Sequence, residues 1–203
     1  MQVNRRSQAD RSAATRASLI GAARALFAEH GFGGVGTESI VAAAGVTRGA
    51  LYHQFADKTE LFQAVYEAIE EDLARRLDER VIAAGASDPI EMMMLGANAW
   101  LDACREQEVQ RIVLLDGPAV LGWQRWREIG MRYGFGLVEG LLTHAIEVGR
   151  IAPQPVRALT HVLVGALDEA GLYIARAEDQ AAAGEEMRAV IAALIAGLAE
   201  PGA

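Results

Sequence analysis

The stretch Thr37-Glu38-Ser39-Ile40-Val41-Ala42-Ala43-Ala44-Gly45-Val46-Thr47-Arg48-Gly49-Ala50-Leu51-Tyr52-His53-Gln54-Phe55-Ala56-Asp57-Lys58 decides the fold. Ile40, Val41 and Ala44 recur at helical spacing, and Gly45 is a helix stop with no Cβ penalty in the left-handed region. Val46 is the apolar residue of a tight turn. Thr47 can cap a second helix, because its hydroxyl accepts from the free N–H groups of a first turn. Ala50, Leu51, Gln54 and Phe55 give that helix an inner face, and Arg48, Gly49, Tyr52 and His53 give it an outer one. Helix, glycine turn, helix is the helix-turn-helix pattern, whose second helix can enter a DNA major groove. The same pattern fits an ordinary αα-corner with a solvated outer face.

Outward from this stretch, helical periodicity persists in both directions. A helix over 12–30 carries Leu19, Ile20, Ala23, Leu26 and Phe27 as its core stripe and stops at Gly31. Asp57 with Glu60 forms a capping box for a helix running to about Val81, with Leu61, Phe62, Val65, Ile69 and Leu73 inward. Asp88 and Pro89 start a helix with Ile90, Met93, Met94, Ala97, Leu101 and Cys104 on one face. A short helix over 106–115 is expected to end at Asp116-Gly117-Pro118. A long one over 122–148 places Trp126, Ile129, Tyr133, Leu137, Leu141 and His144 together. Its Gly130, Gly134, Gly136 and Gly140 each cost ~1 kcal/mol against alanine, so they imply close packing of a neighbour or room for a ligand. Helices over 155–177 and 185–198 complete the chain. The first of these is apolar nearly all round, and the second carries Met187, Val190, Ile191, Leu194 and Leu198 as a coiled-coil-like stripe. Leu163, Leu167 and that stripe are the expected dimer interface, since two such helices from each of two chains would close a four-helix bundle.

Composition agrees with an all-α class: the 203 residues are 52% hydrophobic with only five prolines. Net charge is −8, which looks wrong for a DNA binder until the chain is divided. Residues 1–58 hold seven Arg/Lys against four Asp/Glu, whereas residues 59–203 hold twelve against twenty-three. Only the first part can approach phosphates favourably. The first sixteen residues are polar, so no secretory signal is expected. The longest apolar run, 189–199, falls short of the ~20 residues of a membrane span, so no membrane association and a cytoplasmic location are expected. Cys104 alone allows no internal disulfide.

At Gly31-Phe32, Ile40, Ala44-Gly45-Val46, Gly49-Ala50-Leu51-Tyr52, Phe55, Asp57-Lys58 and Leu61-Phe62 the sequence resembles the N-terminal domain of the TetR (tetracycline-repressor-like) family. The resemblance covers about residues 12–65. It implies an N-terminal three-helix helix-turn-helix DNA-binding domain over 12–62. It also implies a larger helical ligand-sensing and dimerisation domain over 63–203, about nine helices in all. Residues 1–11 are expected to be a disordered basic tail, in which Arg5, Arg6 and Arg11 either touch DNA or are simply solvated. By motif position, Thr37, Tyr52 and Lys58 would hold phosphates of double-stranded operator DNA. Thr47 would cap the reading helix, and Arg48, Gly49 and His53 would face base edges. Two departures stand out: Gly36 replaces a hydroxyl cap, and Glu38 stands where some members carry a basic reader.

The resemblance further implies a homodimer that responds to a small, apolar effector, most often by leaving the DNA. Met93, Met94, Ala97, Trp100, Leu101, Trp123, Trp126, Tyr133 and Leu137 are the candidate pocket, against the alternative that they are ordinary core. No catalytic motif occurs and no cofactor is expected. The alternative function is an all-α enzyme using Asp168-Glu169, or a metal-binding protein using His144 and His161, with a helix-turn-helix-like corner.

Overall fold

The computed structural model describes residues 8–199. The described chain is helical: α1 Gln8–Gly34, α2 Thr37–Ala44, α3 Arg48–Gln54, α4 Lys58–Ala83, α5 Pro89–Ala103, a π-helical segment Val109–Asp116, α6 Gly117–Leu121, α7 Trp123–Glu147, α8 Val156–Arg176 and α9 Gln180–Ala196.

The local signals act as their chemistry requires. Gly45 takes the left-handed conformation (φ 65°) that closes α2. Thr47 Oγ1 accepts from Ala50 N at 3.2 Å at the start of α3. Asp57 accepts from Glu60 N at 2.8 Å, and the Glu60 carboxylate reaches back to Ala56 N at 2.6 Å. Asp88 accepts from Ile90 N at 3.1 Å and is held by Arg150 at 2.8 Å. Gly36 gives α2 no side-chain cap.

Four boundaries differ from the sequence reading. Gln8 to Arg11 are helical rather than part of a tail, because α1 starts four residues early; the rest of that expected tail lies outside the described residues. The chain does not stop at Gly117-Pro118: proline is tolerated in a first helical turn, and α6 continues to Leu121 before Gly122 breaks it at φ 78°. The preceding segment is wound in the wider π pattern, which apolar periodicity does not reveal. α9 begins five residues before Glu185, because Asp179 caps it through Ala181 N and Ala182 N.

Two cores form. The first runs without interruption from Leu19, Phe27, Ile40 and Leu51 through Phe62, Tyr66 and Ile69 to Val113, Leu114 and Trp126. Its centre is a cluster of Phe27, Phe32 and Phe62, whose ring centroids lie 5.2–5.8 Å apart. The second gathers Met93, Ala97, Leu101, Leu142, Ile174, Ile191 and Ile195 from α5, α7, α8 and α9. α8 is long and apolar enough to cross a bilayer by length and composition. Here it packs between α7 and α9 and carries Asp168 in an ion pair with Arg127.

Candidate DNA interface and effector cavity

The second helix of the motif is anchored from inside. Leu51 and Phe55 are fully buried, Arg16 stacks on the Phe55 ring at 4.3 Å, and Gln54 Nε2 donates to Ser12 Oγ at 2.8 Å. Thr47, Arg48, Gly49, Tyr52 and His53 are thereby left on one exposed face, with Thr37 half-buried at the first turn of α2.

Two residues behave differently from their motif positions. Lys58 Nζ donates to the carbonyls of Phe32 and Val35, both at 2.9 Å, and lies 4.0 Å from the Phe32 ring centroid. Two of its three N–H donors are therefore directed into the turn between α1 and α2, and Lys58 holds that turn together. Arg48 donates to Glu38 at 2.7 Å and lies over the Tyr52 ring, and hydrogen bonding with Tyr52 first and the Glu38 charge second raise its pKa. Glu38 is ten residues away on another helix, so no local pattern announces the pair. Arg24 is engaged too, by both oxygens of Glu108 at 2.6 Å. Among the described residues, Arg16, Arg24, Arg48 and Lys58 thus have partners inside the molecule.

Behind the head lies a cavity of about 410 Å³ between α4, α5, α7, α8 and α9. Met93, Ala97, Trp100, Trp126 and Leu137 line it. Four residues of the expected pocket do not. Met94 and Leu101 sit on the flanks of α5 and pack into the second core, and Tyr133 packs against the first. Trp123 is 61% exposed, because the Gly122 break puts it at the outer end of α7 against Trp126. Both lining indoles are fixed by hydrogen bonds: Trp100 Nε1 donates to Leu167 O at 2.9 Å and Trp126 Nε1 to Val113 O at 2.8 Å.

The α7 glycines divide by position. Gly134, Gly136 and Gly140 line the cavity, and a Cβ on any of them would meet nothing within 4 Å, so they supply room and not close packing. Close packing falls instead at Gly171, where a Cβ would lie 2.9 Å from Cys104 Sγ.

One end of the cavity is polar. Glu70 is buried on α4, where desolvation first and Asp168 second push its carboxyl up to about 7 against a hydrogen bond from Tyr66. The Tyr66 hydroxyl lies 3.4 Å from Trp126 O. Asp168 forms a very short ion pair with Arg127, and burial still lifts it to about 6. Asp168 and Glu169 do not work together, since Glu169 points outward. His161 stacks on Phe135 at 5.0 Å, and among the described residues no three His, Cys, Asp or Glu come together as a metal site would need.

The expected dimer stripe also splits. Met187, Ile191 and Leu198 turn into the second core, and Leu163 and Leu167 face the cavity. Val190 is about half exposed and joins Val162 and Tyr173 of α8 on the outside, while Leu194, also half exposed, stands at the edge of the cavity. A strict heptad reading assigns one stripe to one partner, but α9 is apolar on both sides.

Residues 19–65 match the bacterial regulatory proteins of the tetR family, and residues 90–198 match the tetracyclin repressor-like C-terminal domain. The chain belongs to the TetR family. A crystal structure of a TetR-family transcriptional regulator from Pectobacterium atrosepticum is 34% identical, with a TM-score of 0.83 over 96% of this chain and 98% of that one. The HTH-type transcriptional regulator CymR of Pseudomonas putida is 36% identical over 123 residues, which are 60% of this chain and 61% of CymR. The fold is also similar to that of RolR in complex with resorcinol, with a TM-score of 0.73 at 24% identity over 92% of this chain and 90% of that one. This TetR-family transcriptional regulator therefore has both halves of the family architecture, and its cavity is lined by residues of the C-terminal match together with α4, which runs between the two matched stretches.

Proposed function

We propose that the chain is a homodimeric repressor, acting in the cytoplasm, that holds a two-fold symmetric operator through α3 and releases it when an apolar effector fills the cavity. The observation that carries this reading is α4. Its first turns, through Leu61 and Phe62, belong to the core of the head, and Tyr66, Glu70, Leu73 and Leu77 of the same helix line the cavity. A ligand that shifts α4 can therefore shift α3 through the shared core and through α1, which packs against both. Residues 12–62 act as the DNA-reading head and 63–203 as the sensing and pairing part. The outward apolar residues of α8 and α9 support pairing of two copies.

A second connection joins the same two sites. Asp116, at the end of the π-helical segment, accepts from Phe32 N at 2.7 Å, and Glu108, just before it, holds Arg24 of α1. Val113 in that segment lines the cavity and accepts from Trp126. Movement at Trp126 can thus reach the α1–α2 turn independently of α4.

On DNA, Arg48 must exchange Glu38 for a base edge or a phosphate. Bidentate contact with guanine is the geometry in which arginine discriminates, about 5–150-fold per position. The experiment is selection of bound sites from a random DNA pool, followed by titration of two variants. Arg48→Ala should lose specificity at one position of each half-site. Glu38→Gln should free Arg48 and raise affinity for all sequences several-fold, with a steeper salt dependence. Unchanged site preference in Arg48→Ala would remove it from the reading face.

A further inference from the structure

The cavity wall carries Glu70, Asp78 and Asp168 against a single cation, Arg127. Arg127 is already paired with Asp168. Among the described residues no cation pairs with Glu70; its interactions are with Tyr66 and Asp168. An anionic ligand would meet Glu70 directly. To gain Arg127 it would have to uncover the buried Asp168 carboxylate, which is costly in an apolar surround. The excess of acid over base in residues 59–203 also disfavours entry of anions.

Glu70 is open to approach on one side. Gly130 stands opposite, where a Cβ would lie 3.6 Å from the Tyr66 hydroxyl and 3.9 Å from Glu70 Oε1. With no side chain there, a ligand atom can approach both. A carboxyl group keeps unused acceptor lone pairs whether or not it is protonated. Apart from Tyr66, Asp78 and the Arg127–Asp168 pair, the wall is aliphatic, aromatic and glycine, so it offers burial for an apolar body.

We propose that the cavity takes a non-anionic ligand, with an apolar body in the space between Trp100, Trp126, Leu137 and Leu163 and one hydroxyl or ammonium head donating a hydrogen bond to Glu70. This assignment rests on the cavity being the effector site, and its test separates the two ideas. Four probes share one body: para-tert-butylphenol, para-tert-butylbenzylamine, tert-butylbenzene and para-tert-butylbenzoate. Binding to the DNA-free full chain is read from the emission of Trp100 and Trp126 and from the melting temperature. The phenol and the amine should bind about ten-fold or more tighter than the hydrocarbon, the scale of one buried hydrogen bond to a charged or strongly polar group, and the benzoate should bind more weakly than the hydrocarbon.

Glu70→Leu should erase the advantage of phenol and amine while leaving tert-butylbenzene bound. Glu70→Gln keeps an acceptor and no charge, so it should retain phenol and lose the amine, which tells the two heads apart. A benzoate that binds as tightly as the phenol overturns the assignment, as does a Glu70→Leu variant that keeps the wild-type ranking, or the failure of every probe at millimolar concentration. If Glu70→Leu does not fold, the wild-type ranking alone decides. A probe that follows the expected order yet leaves operator affinity unchanged upholds the ligand class and removes the effector role.

Discussion

The head and the sensing part of this chain use apolar side chains to opposite ends. In the head, Leu19, Phe27, Ile40, Leu51, Phe55 and Phe62 are all closed off, and two of its cations are tied across helix junctions, Lys58 to backbone carbonyls and Arg48 to Glu38. In the sensing part, helices of similar apolar content enclose about 410 Å³ of space and leave Val162, Tyr173 and Val190 on the outside. A filled core gives one rigid arrangement, which a reading helix needs. A cavity and an uncovered face forgo packing energy in the isolated chain, and they return it only when a ligand or a second copy arrives. The same composition therefore serves rigidity at one end and responsiveness at the other.

The sharpest way to break this contrast is at the uncovered face. Val190 is exposed and does not line the cavity, so Val190→Glu should leave the monomer folded and prevent pairing. Loss of the second head should weaken operator binding by about a hundred- to ten-thousand-fold, the advantage of linking two sites. Sedimentation of the variant as a stable dimer would place the interface elsewhere.

The next effect lies in the polar end of the cavity. Glu70 titrates near 7 in the folded chain but in the ordinary carboxylate range when unfolded. Between those values the folded chain keeps a proton that the unfolded chain has released, so stability is highest at the acid side of the window and falls as pH rises through it. The full change is about 3 kcal/mol for one such group, and Asp168 adds to it with the same sign. Denaturant midpoints measured from about pH 5 to 8 should decline in the wild type and flatten in Glu70→Gln. A wild-type profile that rises over this range would show that Glu70 is not held in its acid form.

Asp116→Ala tests how far the two parts are joined. It leaves Phe32 N–H without its acceptor, at a cost of ~1–3 kcal/mol, and it should narrow the difference in operator affinity with and without effector. If stability falls but the effector response stays whole, the signal runs through α4 alone. The smallest effect is expected at Gly134. Gly134→Ala should gain up to ~1 kcal/mol from helix propensity, or about 2–4 °C in melting temperature, while lowering ligand affinity by filling space. Improved ligand binding would mean that Gly134 faces something other than the ligand.

How much was legible from the residues follows a physical division. Caps and stops at Gly45, Thr47, Asp57 and Asp88 are decided within about four residues of chain, so their helices were placed from sequence. The outward face of α3 was legible for the same reason, since Leu51 and Phe55 can point only one way. The early start of α9 is capped just as locally, by Asp179, but its first residues, 180–184, are glutamine, alanine and glycine and carry no apolar stripe to mark a helix. The π-wound segment was missed because it has no distinctive apolar period.

What the sequence alone determined is the order of helices, the exposed face of α3 and the division of charge between the two parts. Each follows from local periodicity, capping or counting. Only the tertiary structure decided that Lys58 holds a turn, that Glu38 occupies Arg48, that Gly134, Gly136 and Gly140 make space, and that Val190 rather than Met187 and Ile191 faces outward. These depend on which side of a helix meets a neighbour and on pairs separated by tens of residues, where apolar spacing assigns a face but not its partner.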